Sequence, residues 1–163
     1  MTRVLNLVGD HVTSQLMQIY DEPVIHTEAD GEGYHVVLTN YALSEKPIRE
    51  SVATLRELSK HILPGGELNM IERSADWYAE AVLQRKDDQI VMLHVYGTEE
   101  HPIKSMHTMR SLRELLSREG FLVYSAEPVE YPIARLSNGA EITGRNNMIA
   151  ATKIWKDKTL WKE

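Results

Sequence analysis

The sequence of 163 residues contains no cysteine, which excludes disulfides, thiolate metal sites and a cysteine nucleophile. No apolar run approaches the roughly 18 residues that a membrane-spanning helix needs. The start, MTRVLNLVGDHV, carries one Arg and a short apolar patch broken at Asn6, unlike a signal peptide. The expected compartment is therefore the cytoplasm, with no membrane partner. Positive charge is also short. Lys and Arg number 18 against 24 Asp and Glu, a net charge of −6, so binding driven by phosphate neutralisation is not expected and nucleic acid is excluded as the partner. The balance mildly favours a cationic or zwitterionic ligand. Catalytic signatures are missing as well. There is no G-x-S-x-G elbow, no HExxH, and LPGGE at 63–67 lacks the G-K-[ST] of a phosphate loop. His94, His101 and His107 fit no metal-ligand spacing, so no metal is expected.

What is present is the composition of a folded domain, 42% hydrophobic and 26% charged. Residues 1–33 read as an N-terminal extension of VLNLV, an amphipathic stretch HVTSQLMQIY and a polar, turn-rich end. YHVVLTNY at 34–41 is a β-branched strand. Ile48, Val52, Leu55, Leu58 and Ile62 then recur at helical spacing. GELNMI at 66–71 and WYAEAVLQ at 77–84 read as one strand or two, with a helix over 75–84 as the competing assignment. DDQIVMLHVYG at 87–97 predicts a strand. A helix with Ile103, Met106, Met109, Leu112, Leu115 and Leu116 inward follows, then the strand FLVYSA at 121–126. Asn138-Gly139 predicts a hairpin turn. The tail NNMIAATKIWKDKTLWKE is expected to be helical in part, with Ile149, Ile154, Trp155, Leu160 and Trp161 available to dock.

In order, residues 34–126 spell strand–helix–strand–strand–helix–strand. The expected fold is α+β, a ferredoxin-like βαββαβ sandwich with an antiparallel sheet over residues 34–140, an extension over 1–33 and a hairpin and helical tail reaching 141–163. Helices on one face only would leave the other bare, which favours a homo-oligomer.

The stretch ERSADWYAEAV at 72–82 concentrates Glu72, Asp76, Glu80, Trp77 and Tyr78 in eleven residues. A solvated surface segment is the simpler reading. A carboxylate and an aromatic face together also suit a cation. Taken in order, YHVVLTNYALSE, ESVATLREL, DWYAEAV, DDQIVMLHV and FLVYSAE resemble the phage-encoded S-adenosylmethionine (SAM) lyases, formerly described as SAM hydrolases, over residues 34–126. The resemblance implies a trimer in the host cytoplasm that cleaves SAM to methylthioadenosine and homoserine lactone and so counters host restriction and methylation. It implies no cofactor, because the substrate's own carboxylate is the nucleophile and positioning supplies the rate. It places Tyr78, Asp87 and Asp88 in the catalytic role, with Glu72 in reserve for the substrate ammonium. Trp77 and the loop Thr39, Asn40, Tyr41 and Ala42 would wall the substrate.

Two other readings stand beside it. One is a non-catalytic, oligomeric ferredoxin-like module that senses a small metabolite. The other is a truncated class I methyltransferase, because YHVVLTNYALSE with LRELSKHILPGGEL resembles the middle of such enzymes. Against the latter, VLNLVGDHVT offers one glycine where that fold needs a glycine-rich loop. About two dozen residues before YHVVL are also expected to be too few for a strand–helix–strand unit.

Overall fold

The computed structural model describes residues 1–154. Trp155, Leu160 and Trp161 of the expected docking tail lie outside the described residues. The described chain forms one six-stranded sheet in the order β2-β1-β3-β4-β6-β5. The strands are β1 (Arg3–Asn6), β2 (Val24–His26), β3 (Tyr34–Asn40), β4 (Ile62–Arg73), β5 (Phe121–Arg135) and β6 (Glu141–Lys153). β2, β1, β3 and β4 are mutually parallel. β6 runs antiparallel to both β4 and β5.

This overturns the ferredoxin-like expectation. The sheet is mixed, and helices lie on both of its faces. Strand alternation explains how. Val4 and Val36 point to one side and pack with Leu16 of α1 (Thr13–Ile19). Leu5 and Val37 point to the other side, where Leu55 and Leu58 of α2 (Ser51–Lys60) and Leu112 and Leu116 of α5 (Met109–Arg118) close the main core. Consecutive apolar residues buried on both faces are the pattern of a parallel sheet. A sheet bare on one whole face, the structural ground for a trimer, is therefore absent.

Residues 3–26, expected to form an extension, supply two strands of this sheet. A four-residue strand, a one-turn 3-10 segment at Asp10–Val12 running into a seven-residue helix, and a three-residue strand fit the available length. The expected strand at 87–97 is a helix, and over 75–84 the competing helical assignment is the one that forms. WYAEAVLQ belongs to α3 (Ala75–Leu83), whose N-cap Ser74 Oγ accepts from the Trp77 N–H at 3.1 Å. VMLHVY belongs to α4 (Asp88–Tyr96), capped by Asp87, whose carboxylate accepts from the Gln89 N–H at 2.9 Å. The two helices share a small core of Trp77, Ala81 and Val91. The Asn138-Gly139 turn forms as expected, with Gly139 at φ 82° and Leu136 N–H bonded to Ala140 O at 2.8 Å. NNMIAATK, expected to be helical, is the second half of β6.

Candidate functional site

In an open sheet with parallel strands, ligands bind outside the carboxyl ends where the strand order reverses. Here the chain leaves β1 toward β2 and leaves β3 toward β4, so the switch point lies between the carboxyl ends of β1 and β3. Register identifies what lines it. Asn6 pairs with Leu38, Asn40 with Ile71, and Arg73 with Asn146. Paired residues and residues two apart share a face. Asn6, Asn40, Arg73 and Asn146 therefore form a polar row on the α1 face, one on each of β1, β3, β4 and β6.

Asn6 is 1% exposed and shapes the β1 turn. Its Nδ2 donates to Gly9 O at 2.9 Å, and its Oδ1 accepts from Val8 N–H at 3.1 Å. Gly9 has φ 136° and ψ 168°, a conformation open only to glycine.

The β3 end is held from β4. Glu72 is fully buried, and its carboxylate accepts from the Leu43 and Ser44 N–H groups at 3.0 and 2.8 Å and from Ser44 Oγ at 2.6 Å. Ser44 Oγ in turn accepts from Arg73 N–H at 2.9 Å. These bonds fix the loop in which Tyr41 takes a left-handed backbone, φ 59°, unusual for a residue with a side chain. Tyr41 N–H donates to Ile71 O at 2.8 Å. The result lays the Tyr41 ring 4.6 Å from the Arg73 guanidinium, with the Tyr131 ring 4.2 Å away.

Arg73 is 6% exposed. Among the described residues no carboxylate lies within 4.0 Å of its guanidinium. Its Nη1 donates to Asn146 Oδ1 at 3.3 Å, and Asn146 Nδ2 donates to Tyr41 Oη at 2.8 Å. Taking such a group out of water costs several kcal/mol even after relaxation. A desolvated cation–π contact returns on the order of 2 kcal/mol, so the two rings offset much of that cost. Arg73 Nε remains buried without a partner, as do Asn40 Oδ1 and Thr39 Oγ1. Arg73 Nε and Asn40 Oδ1 share one face at the carboxyl ends of two adjacent strands, where a ligand or water would complete them, while Thr39 Oγ1 lies on the other face.

Of the sequence-predicted residues, Asn40 and Tyr41 lie in this region, with Thr39 facing the opposite side of the sheet and Ala42 following Tyr41. Glu72 holds the loop and offers no free oxygen to a ligand. Trp77 is buried against Ala81 and Val91, while Tyr78 is 37% exposed on α3. Asp87 and Asp88 form the first turn of α4. Sequence reasoning missed Arg73, Tyr131 and Asn146. Arg73 stood inside ERSADWYAEAV, and only its place at the end of a buried parallel strand separates it from a surface arginine.

A cleft of about 220 Å³ between α3, α5 and the β5–β6 hairpin holds Asp76, Trp77, Glu80, Met109 and Arg145. It falls below the roughly 300 Å³ at which ligand pockets begin. Its charges are engaged, Asp76 with Met109 N–H at 2.8 Å and Glu80 with Arg145 at 3.6 Å. The switch point is the stronger site. Among the described residues no group of three or more His, Asp and Glu could hold a metal, and no helix is long and apolar enough to cross a membrane.

Two buried groups give the region a testable pH signature. Burial pushes Glu72 up to about 7, against its three hydrogen bonds. Burial also drives His94 down to about 4, with Arg73 adding to the effect. His94 is neutral, Nε2 donating to Ser74 O at 2.9 Å and Nδ1 accepting from Tyr131 Oη at 2.6 Å. From about pH 4.5 to 7 the folded state holds more proton than the unfolded state at Glu72, so that contribution falls as pH rises. From about pH 4 to 6.5 the unfolded state holds more at His94, so that contribution grows as pH rises. The two oppose each other. Relative to the parent protein, urea midpoints should fall more steeply toward pH 6.5 in His94→Gln and rise toward it in Glu72→Gln. Parallel pH profiles for all three proteins would refute the assignment.

No family model matches the chain, and no curated protein matches it in sequence. Solved structures do match in fold. A SAM-dependent methyltransferase from Methanosarcina mazei is 18% identical, with 83% of this chain and 68% of that one covered and a TM-score of 0.51. One from Anabaena variabilis is 10% identical, covering 94% and 77%, with a TM-score of 0.57. The 1,6-didemethyltoxoflavin-N1-methyltransferase of Burkholderia thailandensis, with bound S-adenosylhomocysteine, is 16% identical, covering 93% and 71%, with a TM-score of 0.53. The fold is thus that of class I methyltransferases. The resemblance to the SAM lyases is overturned, and with it the lyase activity, the phage origin and the trimer it implied. The resemblance of residues 34–68 to the middle of a class I methyltransferase is the one the fold supports.

Proposed function

We propose that the chain binds SAM at the β1–β3 switch point and acts as a methyltransferase. The observation that carries this reading is the position of the unpartnered buried polar groups, at the carboxyl ends of the strands beside the reversal in strand order. The kinship in fold to SAM-dependent methyltransferases supports it. Asn40 Oδ1 is an acceptor awaiting an N–H or O–H donor, and the β1 turn held by Asn6 forms the opposite wall. In the reaction the acceptor's lone pair forms the new bond to the methyl carbon as the S–CH3 bond breaks. Its electrons stay on sulfur, so the leaving group is a neutral thioether. The protein's part is alignment, desolvation and any proton removal. Both ring nitrogens of His94 are engaged and Glu72 is closed off by its donors. Neither is free to serve as a general base.

A second reading is a methyltransferase fold that binds a nucleoside without turnover, favoured by the engagement of both His94 and Glu72 in hydrogen bonds of their own.

S-adenosylhomocysteine should bind saturably and stabilise the protein, by about 2.7 kcal/mol at a hundredfold excess over Kd. SAM incubated alone should stay intact, without methylthioadenosine. Absence of any stabilisation by either nucleoside would sink the methyl-transfer reading. Binding without transfer to any acceptor in a cell extract would favour the second.

A further inference from the structure

We propose that Arg73 recognises an anionic oxygen function, a carboxylate or a phosphate, on the methyl acceptor. The word acceptor rests on the methyl-transfer reading; the anion rests on the surroundings of Arg73. The guanidinium is buried between two aromatic rings and has no carboxylate within reach among the described residues. The groups that face it are Tyr41, Tyr131, His94 and Asn146, all neutral. Glu72, its neighbour in sequence, points to the opposite face of the sheet and is enclosed by the Leu43–Ser44 backbone. Where a structural ion pair would place a carboxylate, this protein places the amide of Asn146, 3.3 Å from Nη1. The Nε N–H is left without an acceptor. A guanidinium edge presenting Nε suits an oxyanion, and such charge-assisted bonds are about twice as strong as neutral ones.

The backbone of Tyr41 bears on the same site. Its left-handed backbone is what brings its ring onto Arg73. Strain of this kind persists where surrounding structure enforces it and recurs at ligand-binding positions. Arg73 also lies in the polar row beside Asn40, on the β4 side of the switch point. That places an anion next to a donor bound between β1 and β3.

The test follows the Arg73 Nε–H and Asn146 side-chain resonances of the 15N-labelled full chain during titration. The probes are acetate, inorganic phosphate and neutral acetamide, each with and without saturating S-adenosylhomocysteine. A saturable shift with acetate or phosphate, absent with acetamide and retained when the nucleoside is bound, is the expected result. The tighter of the two anions identifies the source of the charge. Asn146→Asp would supply an internal counter-ion. It should raise the melting temperature and weaken anion binding about tenfold or more, roughly 1.4 kcal/mol. Arg73→Lys keeps the charge but removes the fork, and should weaken binding while the protein stays folded.

No shift with either anion up to about 100 mM, far above a millimolar Kd, would overturn the proposal. So would equal shifts with acetamide. Displacement of the anion by S-adenosylhomocysteine would assign Arg73 to the carboxylate of the donor and overturn the acceptor assignment. Anion binding in a protein that fails to bind the nucleoside would uphold the anion site and remove the methyl-transfer reading.

Discussion

Replacing Glu72 by alanine is expected to cost about 3 kcal/mol of folding stability, because it strands several buried donors at once. The Leu43 and Ser44 N–H groups and the Ser44 hydroxyl all donate to this carboxylate. Each buried donor left unpaired costs about 1–3 kcal/mol, and neighbours of this kind do not add fully. The carboxylate is itself penalised by burial, which pushes it up to about 7, so the loss is smaller than a sum of three bonds. Glu72→Gln keeps the volume and one acceptor but turns its amide N–H groups toward a donor. It should cost about half as much. For a chain of this size the alanine variant should melt roughly 6–12 °C lower. A loss below 1 kcal/mol would mean that water replaces the carboxylate and that the Tyr41 loop is not held as described. Loss of the loop should also release the Tyr41 ring from Arg73, so anion binding should weaken in the same variant.

Gly9→Ala is expected to weaken S-adenosylhomocysteine binding at least tenfold, about 1.4 kcal/mol. At φ 136° a side chain is strained by backbone conformation alone, on the order of 1–3 kcal/mol. The new Cβ would also lie 3.1 Å from His11 Nδ1. The turn can relieve that strain only by giving up the Asn6 bonds that define it. His11→Ala separates the two causes. If the contact with His11 were responsible, the double variant would recover binding; the backbone account predicts no recovery. Unchanged affinity in Gly9→Ala would move the donor away from the β1 turn.

The same residues show what the sequence discloses and what it hides. YHVVLTNY, the Leu55–Leu58 helix face, the Leu112–Leu116 face and the Asn-Gly hairpin are legible because propensity, periodicity and turn chemistry agree there. VMLHVY reads as a strand by its β-branched and aromatic content. It is a helix because Asp87 caps it and Gly97 ends it at φ 72°, and because His94 bonds Ser74 O. The Val24–His26 strand and the seven-residue α1 are shorter than pattern reading resolves. That brevity hid the parallel unit, and with it the fold class. A short apolar run does not separate a buried strand from a buried helix by periodicity alone. ERSADWYAEAV drew attention for its carboxylates, yet its three acids serve as a loop anchor, a partner for the α5 N-terminus and a surface ion pair. The unpaired charge in that stretch is Arg73. Neither its burial nor its lack of a counter-ion is written in local sequence, because Tyr41, Tyr131 and Asn146 come from three distant segments.

The most direct test of the account is a backbone amide titration with S-adenosylhomocysteine, mapping which resonances move. The account predicts saturable shifts concentrated at Asn6–Asp10 and Asn40–Leu43, the two walls of the switch point. Shifts centred instead on Asp76, Glu80 and Arg145, or no saturable shift at all, would contradict it.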